Sequence, residues 1–273
     1  MIDAAARIVF TSGLVYSQQF PFSTSLIVDG GRIAWIGDDA GLSGQLLESD
    51  VQIDCAGALI TPAFFDANLT DPQGADPAVA AGFWSCGDGL KLVTRIPSGE
   101  WSEVEQSNAS IGANRVVVSR TLPHESVEAM LSHRQFAVVP PNVDAEALVD
   151  LARAGVPFAF GSFGRPDSPW NWIRHTVYSQ PDGLSARAAF NAATRSGWRL
   201  AGSPDAGALI IGTRPSMCVW KCEHVQVQVP DSRVKAWSTD VRAGTPPLPD
   251  LSPGAALPEL IATVIDGEYR NLR

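Results

Sequence analysis

The sequence predicts an α/β protein with a parallel sheet in the middle of the chain and β-rich segments at both ends. Three observations carry this. β-favouring runs separated by turn signals fill residues 7–62 and return after residue 208, whereas the stretch between them alternates short apolar runs with capped segments at helical spacing. Gly 24 and Pro 20 in 273 residues favour many short elements over a few long helices, which excludes a coiled coil. At 45% hydrophobic and 18% charged residues the chain can build a sizeable core.

Charge narrows the partners. Twenty Lys and Arg against 29 Asp and Glu leave a net charge of −9, with a pI of about 4.9, so a basic face for nucleic acid or an anionic membrane is not expected. No apolar run approaches the roughly 20 residues of a membrane span, and Met1-Ile2-Asp3 lacks the basic opening of a signal peptide. The expectation is a cytoplasmic protein without a membrane partner.

In the first segment, Asp29-Gly30-Gly31 between Ser25–Val28 and Arg32–Ile36 reads as a hairpin, because adjacent glycines supply the positive φ of a tight turn. Val51–Asp54 and Gly57–Pro62 add strands, so the first sixty residues read as all-β. In the middle, Asn114–Ser119 reads as a strand, Ser126 as the cap of a helix over Val127–His133, and Phe136–Val139 as the next strand. Asp144 caps a second helix with Leu148 and Leu151 on one face and Gly155 at its end; Val156–Phe160 follows as a strand, and Ser185 caps a third helix over Ala186–Thr194. Strand, helix and strand joined by short loops form the βαβ unit of a parallel sheet. Ala208–Ile211, Met217–Lys221, Val225–Val229 and Leu260–Asp266 read as strands, and residues 243–258 as an irregular Pro/Gly-rich stretch.

The order of these segments, with the strings SLIVDGGRIAWIGDDA, CAGALITPAFFDANLTD, AGVPFAFGSFGRPDSPWNWIR and GLSARAAFNAATRSGWRLAGSPDAGALIIGTRPSMCVW, resembles the amidohydrolase superfamily. The resemblance touches more than half of the chain. It implies a β-sandwich composite domain built from both ends, residues 1–62 and 205–273, and a TIM-like (β/α) barrel domain over 63–204. A full barrel takes about 250 residues and at least about 200. Residues 65–202 supply about 140, enough for four or five βα units at about 30 residues each. The barrel is therefore expected to be incomplete or reduced. A homo-oligomer such as a dimer, or a companion chain, would cover its open edges.

The family's chemistry uses zinc or another divalent metal to turn water into hydroxide and polarise the scissile carbonyl. The resemblance places the ligands at strand ends, where this chain departs from the pattern. The Asp-x-His-x-His string reads Asp66-Ala67-Asn68-Leu69-Thr70, so Asn68 and Thr70 stand where both imidazoles belong. A later ligand histidine aligns with Val118, and the final Gly-Ser-Asp reads Gly161-Ser162-Phe163, so Phe163 replaces the aspartate that serves as ligand and base. These vestigial positions predict no cofactor and a non-catalytic homologue that is structural, regulatory or binds a small ligand at the old active face. The alternative is an active hydrolase of C–N bonds using other or partner-supplied residues.

Other chemistry finds little support. Cys218 and Cys222 form no CxxC pair, and with Cys55 and Cys86 they read as free buried thiols. His124, His133 and His224 fit capping or surface roles, whereas His175, in the helix after Gly161-Ser162-Phe163, lies nearest the former active face. Ser162 and Cys86 are the available nucleophiles, but neither sits in a Gly-x-Ser-x-Gly elbow. Asp66, Asp71 and Asp88 lack the paired spacing of a hard-cation site. Trp170-Asn171-Trp172 reads first as core packing, with Trp170, Ser162 and His175 as the candidate pocket residues.

Overall fold

The computed structural model describes residues 6–67, 83–85, 110–111, 114–118, 121–122, 126–163, 167–178, 183–202, 204–228, 237–238, 246–265 and 267–271. The chain divides into two compact units, Met1–Ala63 with Ala208–Arg273, and Phe64–Gly207.

The N-terminal part of unit 1 carries β1 (Ile8–Thr11), β2 (Leu14–Val15), β3 (Ser25–Asp29), β4 (Arg32–Gly37), helix α1 (Asp39–Leu42), β5 (Val51–Asp54) and β6 (Leu59–Pro62). The hairpin between β3 and β4 turns on Gly30 and Gly31 at φ 54° and 70°, the left-handed conformation that two-residue turns require. Asp29 then faces Arg32, and the register shifts between Ile27 and Val28, where Ala34 is the extra residue of a β-bulge. The first sixty residues are not entirely β. Asp38 caps α1 by accepting from the Gly41 N–H, and Leu42 covers Val9 and Ile27 on one face of the sheet.

In unit 2, β7 (Phe64–Asp66) runs parallel to β8 (Phe83–Ser85), and β9 (Ser110–Ile111) pairs antiparallel with β10 (Asn114–Val118). Helix α2 (Ser126–Ser132), β11 (Gln135–Val139), α3 (Ala145–Ala154) and β12 (Phe158–Phe160) complete two βαβ units, with β10, β11 and β12 parallel and adjacent. Helices α4 (Pro169–Tyr178), α5 (Ala186–Ala193) and α6 (Arg195–Leu200) follow. Asp144 caps α3 at the Glu146 N–H, and Gly155 ends it at φ 75°, as the sequence predicts. Ser185 caps α5 at the Ala188 N–H. Ser126 does not cap its helix. It forms the first helical residue, and its buried Oγ has no hydrogen-bond partner.

Unit 1 resumes with β13 (Met217–Lys221), β14 (Val225–Gln228), β15 (Trp237–Ser238), β16 (Leu248–Pro249), β17 (Glu259–Ile265) and β18 (Glu268–Asn271). Ala208–Ile211 is not a strand, because the Thr213 N–H and Oγ1 both donate to the Ile210 carbonyl and turn the chain. The turn instead bonds to β4 through Gly212 N–H to the Ile33 carbonyl and Ile33 N–H to the Thr213 carbonyl. After Gly267 the chain returns as β18 in a hairpin that the sequence reading does not contain.

The sheet β4-β3-β1-β5 and the sheet β18-β17-β13-β6-β2 share one apolar core. Phe10, Leu26 and Ile33 come from the first sheet and Ile60, Met217 and Val264 from the second. Strand β13 lies between β6 and β17, so residues from both sequence segments interleave in one sheet. The Trp220 Nε1–H satisfies the buried Thr61 hydroxyl across that seam at 3.0 Å. Cys55 and Cys218 are buried and Cys222 is half-buried; burial pushes the thiols of Cys55 and Cys222 up to about 12, which keeps them neutral.

The core of unit 2 is aromatic. Phe64 meets Trp170 and Phe190 edge-on at 5.0 and 5.6 Å, and Trp170 stacks on Phe190 at 5.8 Å. Its neighbour Phe65 packs edge-on against Trp198 at 5.2 Å. Helix α6 comes close enough there that a Cβ on Gly197 would lie 2.2 Å from the Phe65 ring.

Candidate functional site

In a parallel sheet all strands present their C-terminal ends on one side, so the loops that follow them gather on one face. Strand β7 ends at Asp66, β11 at Val139 and β12 at Phe160. The ends of β7 and β12 are tied twice. Ala67 N–H donates to the Phe160 carbonyl at 2.9 Å, and Ser162 N–H donates to Asp66 Oδ1 at 2.9 Å. Asp66 is 2% exposed, so its carboxylate serves the backbone of the β12 loop instead of facing bulk water.

Beside this tie lies a hollow of about 890 Å³. Pro140, Pro141 and Asn142 from the β11 loop and Ser162 and Phe163 from the β12 loop form two of its walls. The third wall is the start and one face of α4, through Asp167, Asn171, Trp172, Arg174 and His175. Asn171, Arg174 and His175 recur at i, i+3 and i+4, the spacing that places them on one helix face, while Trp170, Ile173 and Val177 go into the core. Asp167 fixes the entry to the helix by accepting from Ser168 N–H at 2.7 Å and Asn171 Nδ2 at 3.0 Å.

The hollow is graded from apolar to polar. Pro140, Phe163 and Trp172 are buried, Arg174 and Asn171 are half-buried, and Asn142, Asp167 and His175 are exposed. Phe163 holds φ 53°, a left-handed conformation uncommon for an aromatic residue and therefore imposed by its surroundings. The residue is 8% exposed. The Ser162 Oγ beside it is buried without a hydrogen-bond partner.

Three of the residues singled out by sequence, Ser162, Phe163 and His175, line the hollow, and Asp66 is bonded to Ser162. Trp170 does not line it; its neighbour Trp172 does. Val118 is buried at the end of β10 opposite Val138 and is not a lining residue. Asn68 and Thr70 lie outside the described residues, as do Asp71, Cys86, Asp88 and His124. The sequence reading missed Asn142, Asn171, Trp172 and Arg174. The signals were a Pro-Pro-Asn string directly after a strand and a polar stripe on α4.

No protein-family model matches the chain, and no curated protein sequence matches it. Solved structures do. An enamidase described as a member of the amidohydrolase superfamily matches over 97% of this chain and 95% of its own, with a TM-score of 0.59 at 11% identity. The chain has the amidohydrolase fold. A zinc-bound adenosine deaminase from Xanthomonas campestris matches over 97% of this chain and 92% of its own, with a TM-score of 0.61 at 11% identity. For E. coli guanine deaminase the match covers 98% of both chains, with a TM-score of 0.56 at 11% identity. Val118 and Phe163 carry no donor atom, Asp66 is engaged by a backbone N–H, and no group of three His, Cys, Asp or Glu residues converges among the described residues.

Proposed function

We propose that this chain is a non-catalytic protein of amidohydrolase fold that binds a small molecule in the hollow at the ends of β11 and β12. The observation that carries the reading is Phe163. An aromatic ring, held in a left-handed backbone conformation, occupies the strand-end position where the family resemblance places a metal-binding aspartate. Apolar side chains there, and at Val118, offer neither a Lewis-acid site nor a general base. The hollow itself remains, within the roughly 300–1,000 Å³ range of small-molecule sites. The same reading takes the two units as a composite β-sandwich and a reduced barrel. It also takes the working form to be a homo-oligomer or a complex with a companion chain, which would cover the barrel's open edges.

Elemental analysis of untagged protein by ICP-MS, run with light scattering and an amide and lactam hydrolysis screen, tests this. The expected result is substoichiometric transition metal and no hydrolysis, in a particle larger than one chain. Near-stoichiometric zinc, manganese or iron together with C–N bond cleavage would overturn it in favour of an active hydrolase.

A further inference from the structure

We infer that the hollow binds a small uncharged aromatic molecule oxygen first, with its one hydrogen-bonding oxygen against the Ser162 hydroxyl and its ring among Pro140, Phe163 and Trp172. The inference rests on the reading of the hollow as a binding site and adds the chemistry and orientation of what enters it.

Ser162 sets the orientation. The residue is 4% exposed and lines the hollow, and its Oγ has no hydrogen-bond partner. Its backbone is held from both sides, by Gly161 N–H donating to the Val139 carbonyl at 3.1 Å and by Ser162 N–H donating to Asp66 Oδ1 at 2.9 Å. Rotation of χ1 among its staggered wells lets the Oγ meet a group in the hollow. The prolines of the β11 wall offer little to complete it: Pro140 and Pro141 have no N–H, and the Pro140 carbonyl already accepts from Val143 N–H at 3.1 Å. A buried hydroxyl in this state destabilises the chain until a partner arrives, so the wall holds one hydrogen bond in reserve for the occupant of the hollow.

The other walls set the class. Pro140, Phe163 and Trp172 are buried and offer flat or rigid apolar surface, which suits an aromatic ring better than a flexible polar chain. Asp167, Arg174 and His175 are the titratable residues among the described lining. Asp167 and His175 are exposed, Asp167 already accepts from Ser168 N–H and Asn171 Nδ2, and the half-buried Arg174 has an interaction of its own. The buried lining residues carry no ionisable group, so a charged head beside Ser162 would give up its hydration without a counter-charge. A wholly apolar ligand would leave the hydroxyl unpaired. One uncharged oxygen on an aromatic ring meets both conditions, and because a serine hydroxyl both donates and accepts, an alcohol or a carbonyl oxygen serves.

Four probes of similar shape separate these terms: benzyl alcohol, ethylbenzene, benzylammonium and benzoate, titrated into the full chain and its variants and followed by ligand-observed NMR. The expected result is that Ser162→Ala weakens benzyl alcohol about five- to tenfold, the effect of one neutral hydrogen bond to a buried partner, and leaves ethylbenzene unchanged or tighter. Both charged probes should bind the wild type at least about tenfold more weakly than benzyl alcohol. Without ligand, Ser162→Ala should unfold at the same or a higher urea concentration, because it removes an unpaired buried hydroxyl. A lower midpoint would give the Oγ a structural partner and overturn the proposal. Asn142→Trp, checked for folding by circular dichroism, should block binding of benzyl alcohol at the mouth. If Ser162→Ala changes benzyl alcohol and ethylbenzene alike, the oxygen-first orientation is overturned and the hollow remains a site; tighter binding of either charged probe would overturn the uncharged class. Benzyl alcohol binding unaffected by Asn142→Trp would place the ligand elsewhere and overturn the proposal. If no probe binds, the aromatic class is wrong, and a fragment screen that also finds no ligand would overturn the hollow as a binding site.

Discussion

Unit 1 and unit 2 use their buried polar groups differently. In unit 1 several polar side chains fasten one piece of chain to another: Trp220 to Thr61 across β13 and β6, Arg7 to Asp50, and the exposed Asp39 to the Ser25 hydroxyl and the Ser12 N–H, while the buried Thr263 hydroxyl has no hydrogen-bond partner and adjoins strand neighbours only. In unit 2 the buried polar pair at the strand ends, Asp66 and Ser162, adjoins a hollow, and one of its members keeps an unpartnered hydroxyl. The difference teaches that the walls of this fold and the ends of its strands answer to separate demands. Val118 pairs with Val138 at the end of β10, and the ladder between β10, β11 and β12 continues to Phe160, three residues before Phe163.

If unit 2 keeps its walls intact, the largest loss should come from its aromatic core and not from its strand ends. Trp170→Ala removes a fully buried ring stacked on Phe190 and should cost about 3–5 kcal/mol in urea unfolding. A loss below about 1 kcal/mol would mean that the region collapses around the gap, and the comparison would fail. In unit 1 the corresponding test is polar. Arg7→Leu strands the Asp50 carboxylate and should cost about 1–3 kcal/mol.

That variant also carries a pH signature. Burial pushes the Asp50 carboxyl up, but the Arg7 hydrogen bond, the Leu47 N–H and the Arg7 charge together hold it below its ordinary value. A depressed folded value contributes stability that is present above the unfolded pKa of about 3.9 and is lost as pH falls through the lower folded one. Acid titration of stability should therefore be less steep in Arg7→Leu than in the wild type below about pH 4. The smallest effect is expected at Ser185→Ala, which removes the cap of α5 and should lower stability by about 1 kcal/mol in urea unfolding. A loss well above that would mean that α5 is held by its cap more than by its packing on the aromatic core, and would blur the distinction.

Much of the fold was legible because turn and cap chemistry is local. Gly30-Gly31, Asp144, Gly155 and Ser185 act through neighbours within a few residues, and the structure places each of them in that role. Ser126 was misread because the helix begins at the very residue that resembles a cap. Helix α6 was invisible because Gly197 weakens its helical signal, whereas the close approach of Phe65 makes that glycine necessary. Ala208–Ile211 reads as a strand by composition, but its conformation follows from Thr213 and from the edge of β4, both beyond the run itself. At the site, sequence identified the loop residues Ser162 and Phe163 and the helix residue His175. It could not tell which of Trp170 and Trp172 faces the hollow, because helix phase is set by packing against Phe64 and Phe190.

The turn at Gly267 lies so close to the turn at Gly31 that a Cβ there would sit 2.6 Å from the Gly31 Cα and carbonyl oxygen. In the order of synthesis this contact, like the pairing of β6 with β13, joins residues made before unit 2 to residues made after it. On the ribosome the opening β-segment must wait, with its strand edges open, while the whole of unit 2 emerges and has time to fold. Protection of nascent chains by a holdase should matter most over that interval.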